Sequence, residues 1–356
     1  MPSKSSIQAE GGTINERERL LKVLYKEPID RIPCVCPMQT GTIALMQACG
    51  SFWPEAHHNP QRMADLALAA NRFAGMESVR VPFEMSVDAS AFGVKVADRA
   101  LRRQPMVLER RIESAEEFAD VDVPDPQKDG MVPIVLEAIK EIRKRDSSLP
   151  IICGIMAPHM LAFELMGEQE AFKVMINDPS LLKATLFKAK AFSTAYATSA
   201  FEAGADVIAF IDPLASGDFL SQEQYCEFAY PFHRRMCEET EKIGIPVVLH
   251  ICGNTNKILP LIAQTGANAI SIDSCVNIPY AKKVLAGRSA LMGNISTTDV
   301  LLNGTEDEVI ANTADCLSKG VDSVAPGCGL VLQTPLNNLK AMVDTTVRWQ
   351  VGGHPK

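Results

Sequence analysis

The sequence lacks the long apolar segments of a membrane protein. None of its 356 residues falls in an uninterrupted apolar run of 18 or more, and apolar pieces such as "IPVVL" have the length of a strand. The first twenty residues, "MPSKSSIQAEGGTINERERL", are polar and contain no apolar core of a secretory signal. These absences predict a soluble protein without a membrane role.

An excess of basic residues is also missing. Lysine and arginine number 35 against 43 aspartates and glutamates, which gives a net charge of -8, and no basic stripe is visible. Nucleic-acid binding needs clustered positive charge opposite the phosphates, so this role is excluded. The ten cysteines do not have the spacing of a small disulfide framework, which predicts a reduced chain in the cytoplasm.

The glycine-rich fingerprint of a dinucleotide-binding sheet is absent, because "PMQTGT" follows the first predicted strand. Short β-rich runs instead alternate with longer amphipathic helical patterns, which is typical of a parallel sheet. Eight such units favour an α/β fold of the (β/α)8 TIM-barrel type. The predicted strands are residues 31–36, 78–83, 150–155, 206–211, 245–251, 268–272, 290–294 and 321–326.

The N-terminus and one insertion depart from this alternation. Residues 1–13 have no periodicity and are expected to form a mobile tail, followed by a helical N-terminal extension capped by Asn15. Residues 14–353 are expected to form a single TIM-barrel domain. Residues 84–123, after the second strand, form an insertion that we expect to fold as a hairpin or a lid.

Potentially reactive side chains collect where the predicted strands end. The carboxyl ends of the strands are where TIM barrels carry their chemistry, so these residues are the candidates for function. They are Glu84, His159, Asp212, His250, Cys252, Asp273, Asn294 and Cys328.

The strongest pattern is "VVLHICGNT", which ends the fifth strand. His250 and Cys252 are two residues apart, so in extended chain their side chains project to the same side. Cys328, in "APGCGLVLQTP", lies between two glycines just after the last strand. One histidine and two cysteines are typical of a zinc site that keeps its fourth position for water or substrate. Ordinary core cysteines are the alternative, since free cysteine is among the most buried residue types.

The carboxylates have two interpretations each. Asp273, in "SIDSC", is either a fourth metal ligand or a residue that stabilises its loop. Glu84 and Asp212 either act directly, by orienting the substrate, or hold the loops. His57 and His58 lie before a helix and are expected to be solvated.

Several segments resemble the methylcobamide:coenzyme M methyltransferases, a branch of the uroporphyrinogen decarboxylase superfamily. They are "DPLASGDFLSQEQYCEFAYPF", "HICGNTNKIL", "SIDSCVNIPYAKK", "MGNISTTDVLLNGT" and "APGCGLVLQTPLNNLKAM". The resemblance implies a TIM barrel in which His250, Cys252 and Cys328 hold zinc. The acidic fourth ligand of the family corresponds to Asp273, where relatives commonly have glutamate.

The resemblance also implies a reaction and its partners. The thiol of a small acceptor such as coenzyme M binds zinc, becomes a thiolate and attacks the methyl group of a methylated corrinoid, releasing cobalt(I). The methylcobamide is expected to arrive on a separate corrinoid protein.

One departure argues against the decarboxylase activity of the wider superfamily. The decarboxylases carry a motif of the form RQAGR after the first strand, whereas residues 38–42 here read "MQTGT" and provide no arginine for substrate carboxylates. Three alternatives stay open. They are a corrinoid-dependent methyltransferase with another acceptor or donor (tetrahydrofolate, homocysteine or a methylated small molecule), a metal-free decarboxylase, and a non-catalytic barrel that binds a corrinoid protein.

Overall fold

A computed structural model describes residues 14–97, 106–112 and 121–349 of the chain. The predicted mobile tail, residues 1–13, lies outside the described residues, as do residues 98–105 and 113–120 of the predicted insertion.

Six parallel strands form the central sheet, and each pairs with the next one along the sheet. All of their residues are buried, as expected for strands covered on both faces. A separate antiparallel hairpin joins β2 (Val96–Ala97) to β3 (Met106–Val107) within the predicted insertion. The sheet strands are β1 (Val79–Val81), β4 (Ile151–Met156), β5 (Val207–Ile211), β6 (Val247–Ile251), β7 (Ala269–Ile272) and β8 (Ala290–Met292).

The first and last of the eight predicted strands are present only as bridged segments. Met292 of β8 forms a parallel bridge with Ser323, and Val324 forms one with Cys34. Glu77, just before β1, donates its amide hydrogen to the carbonyl of Cys34 at 2.9 Å. The two edges of the sheet are therefore connected through residues 34 and 323–324.

The prediction of eight full strands is wrong for these two segments, and proline explains why their ladders stay short. Pro33 lies beside the bridge of Cys34, and Pro326 is itself bridged to Ile295. Neither proline has an amide hydrogen with which to extend a ladder. The seventh predicted strand also ends early, at Met292, because Gly293 turns the backbone with φ +146°.

The buried apolar residues form two clusters, one on each face of the sheet. The larger one packs the helices against the outer faces of the strands. The smaller one joins small inward-facing residues, such as Ala209, Ala269 and Ala290, to Leu20 and Leu24 of the first helix. That helix thus covers the amino-terminal end of the strands and leaves the opposite end to the loops that carry the candidate residues.

The helices largely follow the predicted pattern. Asn15 caps the first helix, as predicted, and the structure adds a reciprocal capping box with Glu18. Among the described residues, no helix is both long enough and apolar enough to span a bilayer. The helices are α1 (Glu16–Leu24), α2 (Ile43–Cys49), α3 (Glu55–His58), α4 (Pro60–Ala74), α5 (Ser86–Ala91), α6 (Val132–Arg145), α7 (Pro158–Met166), α8 (Glu168–Asn177), α9 (Pro179–Glu202), α10 (Gln222–Gln224), α11 (Tyr230–Lys242), α12 (Leu259–Ile262), α13 (Ile278–Leu285), α14 (Glu306–Ser318) and α15 (Leu336–Arg348). Shorter turns of helix cover Pro213–Ala215 (3-10), Tyr225–Ala229 and Thr297–Leu302 (both π).

Candidate metal centre

Three predicted ligands converge at the carboxyl end of β6. His250 Nε2 lies 3.0 Å from Cys252 Sγ, which lies 3.2 Å from Cys328 Sγ. The three donor atoms are all within 4.8 Å of one another. Within the described part of the chain, no other three histidine, cysteine or acidic donors form such a group.

Glycines allow the chain to bring these donors together. Gly253 follows Cys252 with φ +71°, a conformation that side chains rarely adopt, and a Cβ there would lie 2.3 Å from Asp218 Oδ2. Gly329, next to Cys328, packs against Gln39, so that a Cβ would lie 3.0 Å from Gln39 Cγ. The two cysteines are therefore fixed by tight backbone packing on both sides of the site.

Ser271 orients the histidine of the group. His250 is fully buried, and its Nδ1 lies 3.0 Å from the Oγ of Ser271, the residue paired with it on β7. A hydrogen bond at Nδ1 fixes the ring and leaves Nε2 for a metal. The sequence did not identify this partner, because it depends on the register between β6 and β7.

The contact between the two thiols shifts their pKa values in opposite directions. The hydrogen bond from Cys252 lowers the pKa of Cys328, burial opposes this effect, and His250 lowers the pKa further. The same contact raises the pKa of Cys252, and burial adds to that rise. The lowered pKa of Cys328 favours the thiolate, which is the form in which cysteine binds a metal.

The donor set fits zinc in kind and nearly in spacing. Bond lengths of about 2.3 Å to sulfur and 2.0 Å to nitrogen place tetrahedral donors roughly 3.5–3.8 Å apart. The two contacts of 3.0 Å and 3.2 Å need to lengthen by less than ~1 Å to reach that spacing. Three protein donors of this kind leave one position open for a substrate atom.

Asp273 lies beside this group but outside it. Its Oδ2 accepts a hydrogen bond from the amide of Gly253 at 2.9 Å, and its Oδ1 accepts one from Ser274 Oγ at 3.0 Å. The side-chain amide of Asn294 donates to the Asp273 carbonyl at 2.8 Å and so fixes the same loop. This geometry favours the loop-stabilising interpretation of Asp273 over direct ligation.

Asp212 is fully buried between two histidines. Its Oδ1 lies 3.1 Å from His159 Nδ1 and its Oδ2 lies 2.8 Å from His233 Nε2. Burial acts to raise the pKa of Asp212, but the two histidines outweigh it, and the pKa is lowered. Sequence reasoning missed His233, although its spacing of four residues from Ala229 and Cys237 places it on the buried face of α11.

Glu84 belongs to a different buried cluster, beyond β1. It accepts hydrogen bonds from the amide and hydroxyl of Ser86, and burial raises its pKa to about 7. Arg80, which no sequence pattern singled out, is 1% exposed and lies against Gly154, where a Cβ would come 2.0 Å from Arg80 Nη2. Glu84 is not one of the three converging donors.

The expectation of two solvated histidines before α4 is half correct. His58 is exposed, but His57 is buried, and its ring centroid lies 4.7 Å from that of Trp53. Packing against this large aromatic ring removes His57 from solvent, which the polar surroundings in the sequence did not indicate.

Comparison with known proteins agrees with this architecture. The chain matches the uroporphyrinogen decarboxylase (URO-D) family over residues 15–349. It is 36% identical over 329 residues to the methylcobamide:CoM methyltransferase MtbA of Methanosarcina acetivorans, covering 92% of this chain and 96% of that protein. It is 35% identical over 327 residues to the methylated-thiol–coenzyme M methyltransferase of Methanosarcina mazei, covering 91% of this chain and 87% of that protein.

A solved structure supports the same relationship. A methyltransferase from Methanosarcina mazei superimposes with a TM-score of 0.90 at 36% identity, covering 94% of this chain and 98% of that one. The chain therefore belongs to the uroporphyrinogen decarboxylase family and is a homologue of its methylcobamide:CoM methyltransferases.

Proposed function

We propose that this protein is a zinc-dependent methyltransferase that moves a methyl group from a protein-bound methylcobamide to a small thiol such as coenzyme M. The observation that carries the proposal is the convergence of His250, Cys252 and Cys328 at the carboxyl end of the sheet. The similarity to methylcobamide:CoM methyltransferases supports the choice of reaction.

The proposed architecture is a single (β/α)8 TIM-barrel domain over residues 14–353, with an N-terminal extension and an insertion after the second strand. The connection of β8 to β1 through the bridged segments at residues 34 and 323–324 supports it. A barrel places the open end of every strand around one mouth, where a corrinoid ring and a zinc site can meet.

The three donors would hold zinc, and Ser271 and Asp273 would keep them in place. Zinc, when bound, supplies the Lewis acidity that converts an incoming thiol to a thiolate at neutral pH. The negative charge of Cys252 and Cys328 balances a divalent ion, so that a third sulfur stays electron-rich and nucleophilic. Asp273 either remains on the amide of Gly253, as its hydrogen bonds favour, or serves as a displaceable fourth ligand.

Asp212 and Glu84 are proposed to act beside the metal centre. Asp212 follows β5 directly, and its amide donates a hydrogen bond to the carbonyl of His250 at 3.0 Å, which supports a role beside the metal ligands. Glu84, with a pKa near neutrality, is proposed to orient the acceptor from the other side of the mouth.

The implied partners are a corrinoid protein that carries the methyl group and a small thiol that receives it. The ten cysteines are all free, which supports a reducing cytoplasm as the proposed location. Decarboxylation of a porphyrinogen is disfavoured, because residues 38–42 contain no arginine and Gln39 instead hydrogen-bonds to Leu330.

Anaerobic incubation of the zinc-loaded protein with methylcobalamin tests the proposal. A panel of acceptors comprising coenzyme M, homocysteine, other small thiols and tetrahydrofolate should show demethylation with a thiol, and none in the Cys252→Ser variant. Absence of a rate with every thiol would contradict the proposal. Turnover of tetrahydrofolate alone would reassign the acceptor, and turnover of uroporphyrinogen by metal-free protein would favour the decarboxylase.

A further inference from the structure

A buried chain of hydrogen bonds leads to one imidazole nitrogen that has no partner. Tyr225 Oη lies 3.3 Å from His233 Nδ1, and His233 Nε2 lies 2.8 Å from Asp212 Oδ2. The other oxygen of Asp212 lies 3.1 Å from Nδ1 of His159. His159 is fully buried, yet its Nε2 has no hydrogen-bond partner among the described residues.

These hydrogen bonds determine which ring nitrogens of His159 and His233 carry a hydrogen. The ionised carboxylate of Asp212 can only accept, so both histidines must donate to it, His159 through Nδ1 and His233 through Nε2. Tyr225 then donates to the remaining nitrogen of His233. In the neutral His159 ring, Nε2 therefore carries a lone pair and no hydrogen.

His159 lies at the same end of the sheet as the metal centre. His159 is the second residue of α7, which begins two residues after β4 ends. Its partner Asp212 follows β5 and hydrogen-bonds to the main chain of His250 on β6. The ring packs on Phe163 with a centroid distance of 4.2 Å, which restricts its orientation. A buried acceptor without a partner is unfavourable unless a ligand completes it.

We infer that His159 Nε2 is the base that takes the proton from the acceptor thiol as its sulfur enters the metal centre. This inference rests on the proposed methyl transfer. Asp212 and His233 are positioning residues, because Asp212 fixes the ring of His159 and His233 fixes the carboxylate of Asp212.

The proton and electron balance of the step is complete. The S–H bond breaks, its proton goes to His159 Nε2, and the electron pair remains on sulfur. The sulfur pair then forms the S–CH3 bond while the Co–C bond breaks, and the pair of the Co–C bond stays on cobalt, which changes from cobalt(III) to cobalt(I). The imidazolium of His159 afterwards returns its proton to solvent.

Thiols of different acidity test this role. His159→Asn keeps a donor towards Asp212 but removes the basic nitrogen. With an alkyl thiol, which is mostly protonated at neutral pH, we expect kcat/KM for methylcobalamin demethylation to fall by roughly 100-fold. With thiophenol, which arrives largely ionised, the loss should be less than about threefold, because no proton has to be removed. His233→Asn, which retains His159, should show the same selectivity with a smaller loss.

A binding measurement without corrinoid separates this inference from the proposed function. Cobalt(II) takes the same nitrogen and sulfur ligands as zinc, so its visible absorption can report thiol binding in stopped flow. Binding of the alkyl thiol should slow by roughly 100-fold in His159→Asn, whereas binding of thiophenol should keep its rate. If the parent protein shows this pattern but no demethylation, the proposed methyl transfer fails while the role of His159 stands.

Three results would overturn the inference. One is an equal loss of kcat/KM with both thiols in His159→Asn, which would assign His159 a structural role. Another is an unchanged rate with the alkyl thiol. The third is loss of metal or of folding in both His159→Asn and His159→Gln, which assigns the residue to the scaffold.

Discussion

The sulfur atoms of Cys252 and Cys328 lie 3.2 Å apart, although 76 positions separate the two residues in the chain. Cys252 follows β6 and Cys328 follows the segment bridged to β8, so the strands between them must be in place before the sulfurs can meet. The metal centre therefore forms only when the sheet is complete. Substitutions that alter the backbone next to its ligands should change its affinity for the metal.

Gly253 provides the first test of that dependence. Gly253→Ala and Gly50→Ala both place a side chain at positive φ, which should lower the free energy of unfolding by about 1 kcal/mol in Gly50→Ala and by more in Gly253→Ala. A Cβ at Gly50 meets nothing within 4 Å. A Cβ at Gly253, the residue after Cys252, collides with the carboxylate of Asp218. Zinc affinity, measured by competition with a chelator, should fall only in Gly253→Ala. Equal zinc affinity in the two variants would show that this turn does not support the site.

The raised pKa of Glu84 predicts how the stability of the protein varies with pH. Burial raises its folded pKa from 4.5 to about 7, so the folded chain holds this proton over a pH range in which the unfolded chain has released it. The stability of the parent relative to Glu84→Gln should therefore fall as pH rises from about 4.5 to about 7 and then level off, by roughly 1–3 kcal/mol in all. Melting temperatures of both proteins across this range measure the difference. A difference that does not vary with pH would mean that Glu84 titrates normally.

Two substitutions of Asp273 can show whether it binds zinc or stabilises its loop. Asp273→Asn retains a carbonyl oxygen that can accept the hydrogen bond from Gly253, so zinc affinity should change little. Asp273→Ala removes that support, and zinc affinity should fall by about 10-fold or more. If the carboxylate is instead a zinc ligand, Asn should weaken binding as much as Ala does. Chelator competition on both variants distinguishes the two cases.

The sequence was sufficient to predict the parallel sheet and the three converging donors. Alternating apolar runs locate the strands, and strand ends share one edge, so His250, Cys252 and Cys328 could be placed together. The bridged first and last segments could not be foreseen as readily, because the length of a ladder depends on where residues such as Pro33 fall relative to the partner strand.

The partners of the site residues were less predictable. Ser271 meets His250 through the β6–β7 register, and His233 reaches Asp212 from the buried face of α11, the helix that precedes β6. Asp273 could be placed at the site, but the turn at Gly253 determines whether its carboxylate binds the metal or accepts a backbone hydrogen bond. Such contacts follow from exact side-chain positions, which periodicity alone does not determine.

Metal analysis of the purified protein tests the central claim most directly, with His250→Ala, Cys252→Ser and Cys328→Ser beside the parent. Cys226→Ser is the matched control, because that cysteine is exposed on a helix away from the three donors. We predict about one zinc per chain in the parent and in Cys226→Ser, and a large loss in each of the other three. Full zinc retention in Cys328→Ser would contradict the proposed metal centre.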